Sequence, residues 1–254
     1  MRRLLVDGAA FRQNIEAVKT AMAGVPIIGV CKGNGMGVGT LPYANALLSA
    51  GITSLAVAAV EEGAALREGG ITCPILMLSS TSLPAEVEAL LKLNITPTVG
   101  STAAAAALAG TGAAVHIKVD TGFGRYGFMP GEEETAARAV KEAGLVAVGI
   151  FTHFSRSFSD APDTARQLET FIRFADKLAA LGIDPPLRHA ANSCGALLHP
   201  KTRLSAVRIG SAFVGRLPAP SPIPLAKIGW LEADVAELHE LPRGHNVGYT
   251  NVYY

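Results

Sequence analysis

Eight short apolar runs recur along the chain, each separated from the next by a stretch with helical spacing. In chain order the runs are 26–31, 54–58, 74–78, 95–99, 114–119, 145–151, 187–191 and 206–209. A strand followed by a helix, repeated eight times in roughly 210 residues, is typical of a closed parallel barrel. An open doubly wound sheet is the alternative, but no G-x-G-x-x-G follows the first run. The sequence therefore predicts an α/β fold of the (β/α)8, TIM-like barrel type.

Composition excludes several classes of partner. The 254 residues are 49% hydrophobic and 17% charged, with a formal net charge of +1. No apolar run approaches the ~18 residues of a membrane helix, and no block of like charge indicates nucleic acid or an anionic membrane. The three cysteines, Cys31, Cys73 and Cys194, are scattered, as is typical of reduced thiols. The polar N-terminus is unlike a signal peptide, so we expect a soluble cytoplasmic protein.

Polar residues cluster where the apolar runs end. Catalytic groups of parallel barrels lie at the carboxyl ends of the strands, and phosphate commonly binds after strands seven and eight. The residues at these ends are Lys32, Lys118, Asp120, His153, Asn192, Ser193, Arg208, Gly210 and Ser211. "NSCG" and "IGSA" supply hydroxyls and unobstructed backbone N–H groups after the last two runs. The spacing predicts a phosphorylated ligand at one mouth of the barrel.

Lys32 ends the first run, within "VCKGNGMGVG". Most lysines are simply solvated, but the glycines around this one leave room for a bulky partner. A desolvated lysine has a lowered pKa and is a suitable amine nucleophile. We therefore predict that Lys32 holds a cofactor covalently.

His116, Lys118 and Asp120 alternate along one run, so their side chains point to the same side. Unpaired charges in a barrel interior are costly, and we expect these groups to pair with each other or with Arg125. A structural ion network and a chemical role are both open, and conversion of Lys118 to a carbamate would relieve its repulsion with Arg125. His153 is either a core histidine or, as its position favours, a contact of a cofactor ring. No zinc-binding spacing is present, so metal catalysis is not predicted.

Several segments, in one order, resemble the alanine racemase family over essentially the whole chain. "VCKGNGMGVG" is similar to that family's cofactor-lysine motif, V-x-K-[AG]-[ND]-A-Y-G-H-G. "VHIKVDTGFGRYGF", "GIFTHFS", "HAANSCGALLHP" and "VRIGSAFVG" follow in the family's order, and "LPRGHNVGYTN" resembles the segment with its catalytic tyrosine. The resemblance implies a pyridoxal-phosphate (PLP) enzyme that racemises a small amino acid, with alanine the expected substrate and serine an alternative.

The resemblance also implies roles for individual residues. Lys32 would bond PLP and act as one acid–base group, and Tyr249 would act on the opposite face of the substrate. Lys118 matches a lysine that is carbamylated in many members, and it would orient Arg125 toward the substrate. The remaining implied residues contact or support the cofactor: His153 at the ring, Ser193, Gly210 and Ser211 at the phosphate, and Arg208 at the pyridine nitrogen, with His189 and Asn192 in support.

Two features depart from the family's pattern. Met36 occupies the place of a tyrosine whose hydroxyl usually holds the phosphate. We expect residues 1–226 to form the PLP-binding barrel and residues 227–254 to form only the first strands of an incomplete C-terminal β-domain, which in the family completes a homodimer. A single-barrel PLP-homeostasis protein without racemase activity is therefore an alternative. A decarboxylase or aldolase is disfavoured by the arginine at the pyridine nitrogen.

Overall fold

The computed structural model describes residues 1–249 and divides into two compact units. The larger unit is Asp7–Ile228, and the smaller combines Met1–Val6 with the chain from Gly229 onward. Numbered in chain order, strands β1 (Arg2–Val6) and β10 (Gly229–Ala233) belong to the smaller unit. The strands between them belong to the larger unit: β2 (Ile27–Val30), β3 (Ser54–Val57), β4 (Ile75–Ser80), β5 (Thr96–Val99), β6 (Ala114–Lys118), β7 (Val146–Phe151), β8 (Leu187–His189) and β9 (Val207–Ile209).

The eight strands of the larger unit form one parallel sheet in the order β8-β7-β6-β5-β4-β3-β2-β9. Two backbone hydrogen bonds then join the ends of this sheet. The Arg208 N–H donates to the Ala191 carbonyl at 3.0 Å, and the Ser205 N–H donates to the Arg188 carbonyl at 3.0 Å. The sheet is therefore a nearly closed barrel, and the predicted (β/α)8 architecture is confirmed.

Helices cover the outside of the barrel. They are α1 (Gly8–Met22), α2 (Lys32–Met36), α3 (Thr40–Ser49), α4 (Val60–Glu68), α5 (Pro84–Lys92), α6 (Thr102–Ala107), α7 (Glu133–Glu142), α8 (Ala161–Ala180) and α9 (Ser193–Leu198), with a 3-10 turn at Pro200–Thr202. The Asp7 carboxylate caps α1 by accepting from the N–H groups of Ala9 and Ala10, and the apolar face of that helix is buried as its spacing predicts. Within residues 1–249, no helix is long and apolar enough to cross a bilayer.

The interior of the barrel is apolar on one side and polar on the other. Strands β2–β4 contribute a small apolar cluster that includes Ile28, Ala56 and Leu76. Strands β6, β8 and β9 instead contribute buried polar side chains: His116, Lys118, His189 and Arg208. Burying charge and imidazole costs free energy unless each group is hydrogen-bonded, so this polar half is where a functional site is expected.

The smaller unit is an antiparallel ribbon in which Arg2 lies opposite Ala233 and Val6 lies opposite Gly229. The sequence did not predict β1, because its partner strand is more than two hundred residues away along the chain. The chain division at residues 226 and 227, and the start of a β-domain beyond it, stay predictions.

Candidate active site

Because all eight barrel strands are parallel, their carboxyl ends meet at one rim. Lys32 follows β2, Lys118 ends β6, His153 follows β7 and Arg208 lies within β9. The loop after β6 carries Arg125. The fold thus brings to one end of the barrel the residues that the sequence singled out at its strand ends.

Lys32 begins α2, whose backbone is a left-handed turn and not a regular α-helix. Gly33, Asn34, Gly35 and Met36 have φ of 65°, 52°, 60° and 57°. Left-handed backbone is costly for residues with a Cβ, so the glycines of "KGNGM" make this turn accessible. The Lys32 side chain is exposed, whereas we predicted a desolvated amine.

Glu62, in the first turn of α4, holds the Lys32 turn in place. Its carboxylate accepts from the N–H of Gly33 at 2.6 Å and from the N–H of Ala58, after β3, at 2.9 Å. One carboxylate therefore links the backbone beside Lys32 to the end of the neighbouring strand.

Arg208 is buried and held by four acceptors. Its NH1 group donates to the Nδ1 and carbonyl of His189 at 2.8 and 2.9 Å. Its NH2 group donates to the carbonyls of Thr152 and Ala190 at 2.6 and 3.0 Å. The Nε–H has no partner among the described residues. A rigid guanidinium with one unused donor is suited to an acceptor atom on a ligand.

The hydrogen bond from Arg208 sets the protonation of two buried histidines. Since arginine can only donate, Nδ1 of His189 must accept, and its Nε2–H then donates to Nδ1 of His116 at 2.9 Å. Burial, followed by the charge of Arg208, lowers the pKa of His116 to about 4 and that of His189 well below its usual value. Burial also lowers the pKa of Arg208 to about 9. At neutral pH the arginine is therefore charged and both histidines are neutral.

Lys118 and Asp120 do not form the ion pair that we expected. The Asp120 carboxylate accepts instead from the N–H groups of its own loop, at Gly122, Phe123, Gly124 and Arg125, over 2.8–3.2 Å. The Lys118 ammonium donates to the carbonyls of Val119 and Tyr126 at 2.7 and 3.2 Å, and within residues 1–249 it contacts no carboxylate.

Burial is the largest influence on Lys118 and lowers its pKa to about 7. Asp120 opposes this effect, and the charges of Arg208 and Arg125 add to it. A buried amine without a carboxylate partner, beside two arginines, loses its proton readily. Lys118 is therefore substantially neutral near physiological pH.

Arg125 lies between two aromatic rings. Its guanidinium carbon is 4.4 Å from the ring centroid of Phe123 and 5.0 Å from that of Tyr126. The Tyr126 hydroxyl donates to the Leu78 carbonyl at 2.7 Å, which ties this loop to β4. Phe123 also meets the ring of His153 edge-on, with centroids 5.1 Å apart. Arg125 is thus exposed but held in place.

The pKa of His153 reflects the positive charge around the rim. Burial lowers its pKa well below the usual value, and the charges of Arg208, Arg125, Lys32 and Lys118 lower it further. These cations come from different strands, and the nearby carboxylate of Asp120 is already engaged by backbone donors. The mouth of the barrel is therefore electropositive and suited to an anionic ligand.

The ends of β8 and β9 form the region where we predicted phosphate binding. The Asn192 side chain caps α9 by accepting from the Gly195 N–H at 2.9 Å. The Ser193 hydroxyl accepts from the N–H groups of Gly210 and Ala212 at 3.2 and 3.4 Å. Met36 lies over the same turn, since a Cβ on Gly210 would be 2.5 Å from the Met36 methyl carbon. A side chain at position 210 would therefore displace the flexible end of Met36 and lie 3.2 Å from the Val30 Cβ.

Tyr249 lies in the smaller unit, and 97% of its surface is exposed. The quoted segment "NVGYTN" continues into Thr250 and Asn251, which lie outside the described residues. Its predicted role as a base stays a prediction.

A parallel barrel that presents a lysine turn, a buried arginine and an anion-suited turn at its carboxyl rim has the features of a PLP-binding barrel. A family model described as "Alanine racemase, N-terminal domain" matches residues 6–218. The chain belongs to the alanine racemase family, a family of PLP-dependent amino-acid racemases, as its motifs predict.

Known relatives extend beyond the length of this chain. The alanine racemase of Symbiobacterium thermophilum is 39% identical over 259 aligned positions, covering 98% of this chain and 68% of the relative. A crystal structure of Bacillus anthracis alanine racemase with bound L-Ala-P has a TM-score of 0.89 at 29% identity, covering 99% and 69% of the two chains. The histidine racemase of Leuconostoc mesenteroides has a TM-score of 0.82 at 27% identity, covering 100% and 71%.

Three further residues of this region were not predicted from the sequence. Glu62 and Tyr43 lie on helices outside the strand ends, and only their contacts with Gly33 and Gly210 show that they belong here. Phe123 stands beside Arg125 in "DTGFGR", so its aromatic ring next to a cation was a usable signal.

Proposed function

We propose that this chain uses PLP to interconvert L- and D-alanine, with Lys32 and Tyr249 as acid–base groups on opposite faces of the substrate. The observation that carries the proposal is the convergence of Lys32, Lys118, Arg125 and Arg208 around His153 at the carboxyl rim. Membership of the alanine racemase family supports the reaction class.

The residues present fit this cofactor. Its phosphate and phenolate are anionic, and the rim is cationic because the carboxylates of Asp120 and Glu62 are already engaged by backbone N–H donors. Its pyridine nitrogen is an acceptor, and the Nε–H of Arg208 is an unused donor among the described residues. Ser193, Gly210 and Ser211 would hold the phosphate, His153 would pack against the ring, and Asn192 would support the phosphate site by fixing the start of α9.

When bound, PLP withdraws electrons from the substrate Cα and acidifies its hydrogen. Lys32 would hold the cofactor covalently through Nζ and move a proton at one face of Cα. Tyr249 would move a proton at the opposite face, so that removal on one side and return on the other inverts the centre. A group that transfers a proton must lie within hydrogen-bond reach of that proton.

Arg125 would bind the substrate carboxylate, since a guanidinium forms bidentate hydrogen bonds with that group. Its contacts with the rings of Phe123 and Tyr126 restrict the orientation of the guanidinium. The low pKa of Lys118 favours addition of CO2 to the neutral amine, giving a carbamate and one released proton. The resulting anion would attract and orient Arg125.

Arg208 would limit side reactions. A guanidinium does not readily give up its proton, so the ring nitrogen would receive a hydrogen bond without becoming protonated. The four acceptors around Arg208 and the neutral His189 beside it keep the Nε–H in place. A less electron-poor ring favours return of the proton to Cα and disfavours transamination.

Substrate and assembly follow from the family as further proposals. Alanine is the substrate we favour because curated relatives carry that name, and histidine is a second candidate because a histidine racemase shares the fold at 27% identity. We also propose that the protein forms a homodimer where its C-terminal β-domain is present. The protein would act in the cytoplasm, and its D-amino acid product would be a precursor of peptidoglycan. The single-barrel carrier alternative predicts PLP binding without racemisation.

Borohydride reduction of the PLP-loaded protein and an assay of alanine racemisation together test the proposal. Protein loaded with PLP and reduced with borohydride should carry the cofactor on the Lys32 peptide, and Lys32→Ala should carry none. Chiral chromatography should then show D-alanine formed from L-alanine, with Tyr249→Phe much slower. If the protein racemises histidine and not alanine, histidine is its substrate. If PLP is fixed to Lys32 but no amino acid is racemised, the carrier alternative is favoured.

A further inference from the structure

Tyr43 is a fully buried tyrosine that joins two parts of the candidate site. Its ring stacks on Phe11, with centroids 5.3 Å apart, and its hydroxyl donates to the Gly210 carbonyl at 3.1 Å. A Cβ on Gly35 would lie 2.8 Å from the Tyr43 Cβ, so the Lys32 turn packs directly against the base of the same side chain. One residue of α3 therefore contacts both the turn that carries Lys32 and the turn that follows β9.

The hydroxyl of Tyr43 controls the direction of a backbone donor. In a trans peptide the carbonyl of one residue and the N–H of the next point in opposite directions. The Gly210 carbonyl is fixed by the Tyr43 hydroxyl and by the Phe213 N–H, each at 3.1 Å. The Ser211 N–H must then point away from Tyr43, and among the described residues it has no acceptor.

The absence of a tyrosine at position 36 makes this backbone donor more important. Met36 lies over Gly210, and its thioether cannot donate a hydrogen bond to an anion. With that side-chain donor missing, a larger share of anion binding falls on the N–H of Ser211, whose direction the Tyr43 hydroxyl sets. Burial raises the pKa of Tyr43 well above its usual value, so the hydroxyl keeps its proton and remains a donor.

We propose that Tyr43 is a positioning residue for phosphate: its hydroxyl fixes the Gly210–Ser211 peptide so that the Ser211 N–H faces the phosphate of the cofactor, at a set distance from Lys32. This inference rests on the proposed function, because it takes PLP to be the ligand. It adds a residue outside the strand ends and assigns its hydroxyl, not its ring, to phosphate binding.

Tyr43→Phe tests the inference because it removes the hydroxyl and keeps every ring carbon. Affinities of the cofactor-free protein for PLP and for pyridoxal, which lacks the phosphate, are measured by absorbance titration. We expect PLP to bind about three- to tenfold more weakly and pyridoxal to bind as in the wild type, since one hydrogen bond is lost. Thr164→Val is the matched control, because Thr164 on α8 also has a buried hydroxyl that donates to a backbone carbonyl, that of Asp160 just before the helix.

The outcomes separate the two proposals. Equal weakening of PLP and pyridoxal, or no change in either, overturns the role of Tyr43 while PLP binding by the wild type stands. If the wild-type protein fixes no PLP on Lys32, both the proposed function and the role of Tyr43 are overturned. If Tyr43→Phe proves unstable, the wild type is titrated with inorganic phosphate and followed by NMR. The amide proton signal of Ser211 should then shift. A Ser211 amide signal that does not respond to phosphate overturns the inference.

Discussion

Lys118 should become a carbamate in a pH range where ordinary lysines do not. Carbamate forms only from the neutral amine, and burial with two neighbouring arginines lowers the pKa of this group to about 7 from 10.5. At about pH 7.5 roughly three quarters of Lys118 is then neutral, against about one part in a thousand for an exposed lysine. The structure therefore raises the reactive fraction by about two to three orders of magnitude.

Carbon-13-labelled bicarbonate and NMR detect this modification directly. We expect a carbamate signal in the wild-type protein that is absent from Lys118→Gln and that grows as pH rises through about 7, the pKa of the group. Lys177→Gln removes a largely exposed lysine and should leave the signal unchanged. A signal that persists in Lys118→Gln, or that appears only above about pH 9, would refute the reasoning, because an amine with the usual pKa titrates there.

Three further substitutions test other parts of the site. Met36→Tyr should tighten PLP binding by about tenfold or more, because a hydrogen bond to a charged group contributes about 1.5–3 kcal/mol. The substitution adds no new backbone strain of this kind, since position 36 already holds a residue with a side chain at a left-handed φ of 57°. PLP titration of Met36→Tyr, with Met36→Leu as the control, measures the gain in affinity. Arg208→Gln leaves buried acceptors unpaired and should lower the free energy of unfolding by about 1–3 kcal/mol for each such acceptor in denaturant melts, with more pyruvate formed per D-alanine. Asp120→Asn should raise the KM for alanine, because it disturbs the loop that presents Arg125. Although burial raises the pKa of Asp120, its four N–H donors outweigh burial and lower the pKa below 3.8, so its stabilising contribution is present above about pH 4 and is lost as pH falls further.

Each of these predictions has an outcome that contradicts it. Equal gains for PLP and pyridoxal in Met36→Tyr would place the new hydroxyl away from the phosphate. An Arg208→Gln protein as stable as the wild type would mean that water or rearrangement satisfies the acceptors. If acid melts of the wild type and Asp120→Asn differ by the same amount at pH 3 as at pH 6, the carboxylate does not contribute as described.

The barrel could be predicted from sequence because its strands are buried on both faces and read as separate apolar runs. β1 could not, since "RRLLV" has no such pattern and its strand pairing depends on residues at the other end of the chain. The glycines of "KGNGM" indicated an unusual backbone at Lys32, but left-handed φ at Asn34 and Met36 follows only from the folded turn.

The contacts inside the site were predicted less well than its members. We expected Asp120 to neutralise a neighbouring cation, but the glycine-rich loop "DTGFGR" turns back and offers its N–H groups first. The order of hydrogen bonds from Arg208 through His189 to His116 depends on ring orientation, which no spacing specifies. Tyr43 was not found at all, because a tyrosine on an apolar helix face has the pattern of a core residue.

Solvent isotope exchange distinguishes two acid–base groups on opposite faces of alanine from a single group. The PLP-loaded protein is incubated with L-alanine in heavy water, and both enantiomers are separated early in the reaction and analysed for deuterium at Cα. The two-base account predicts that D-alanine carries deuterium at Cα while the remaining L-alanine keeps its hydrogen. D-alanine that retains the original hydrogen, or L-alanine that exchanges as fast as D-alanine forms, would contradict it.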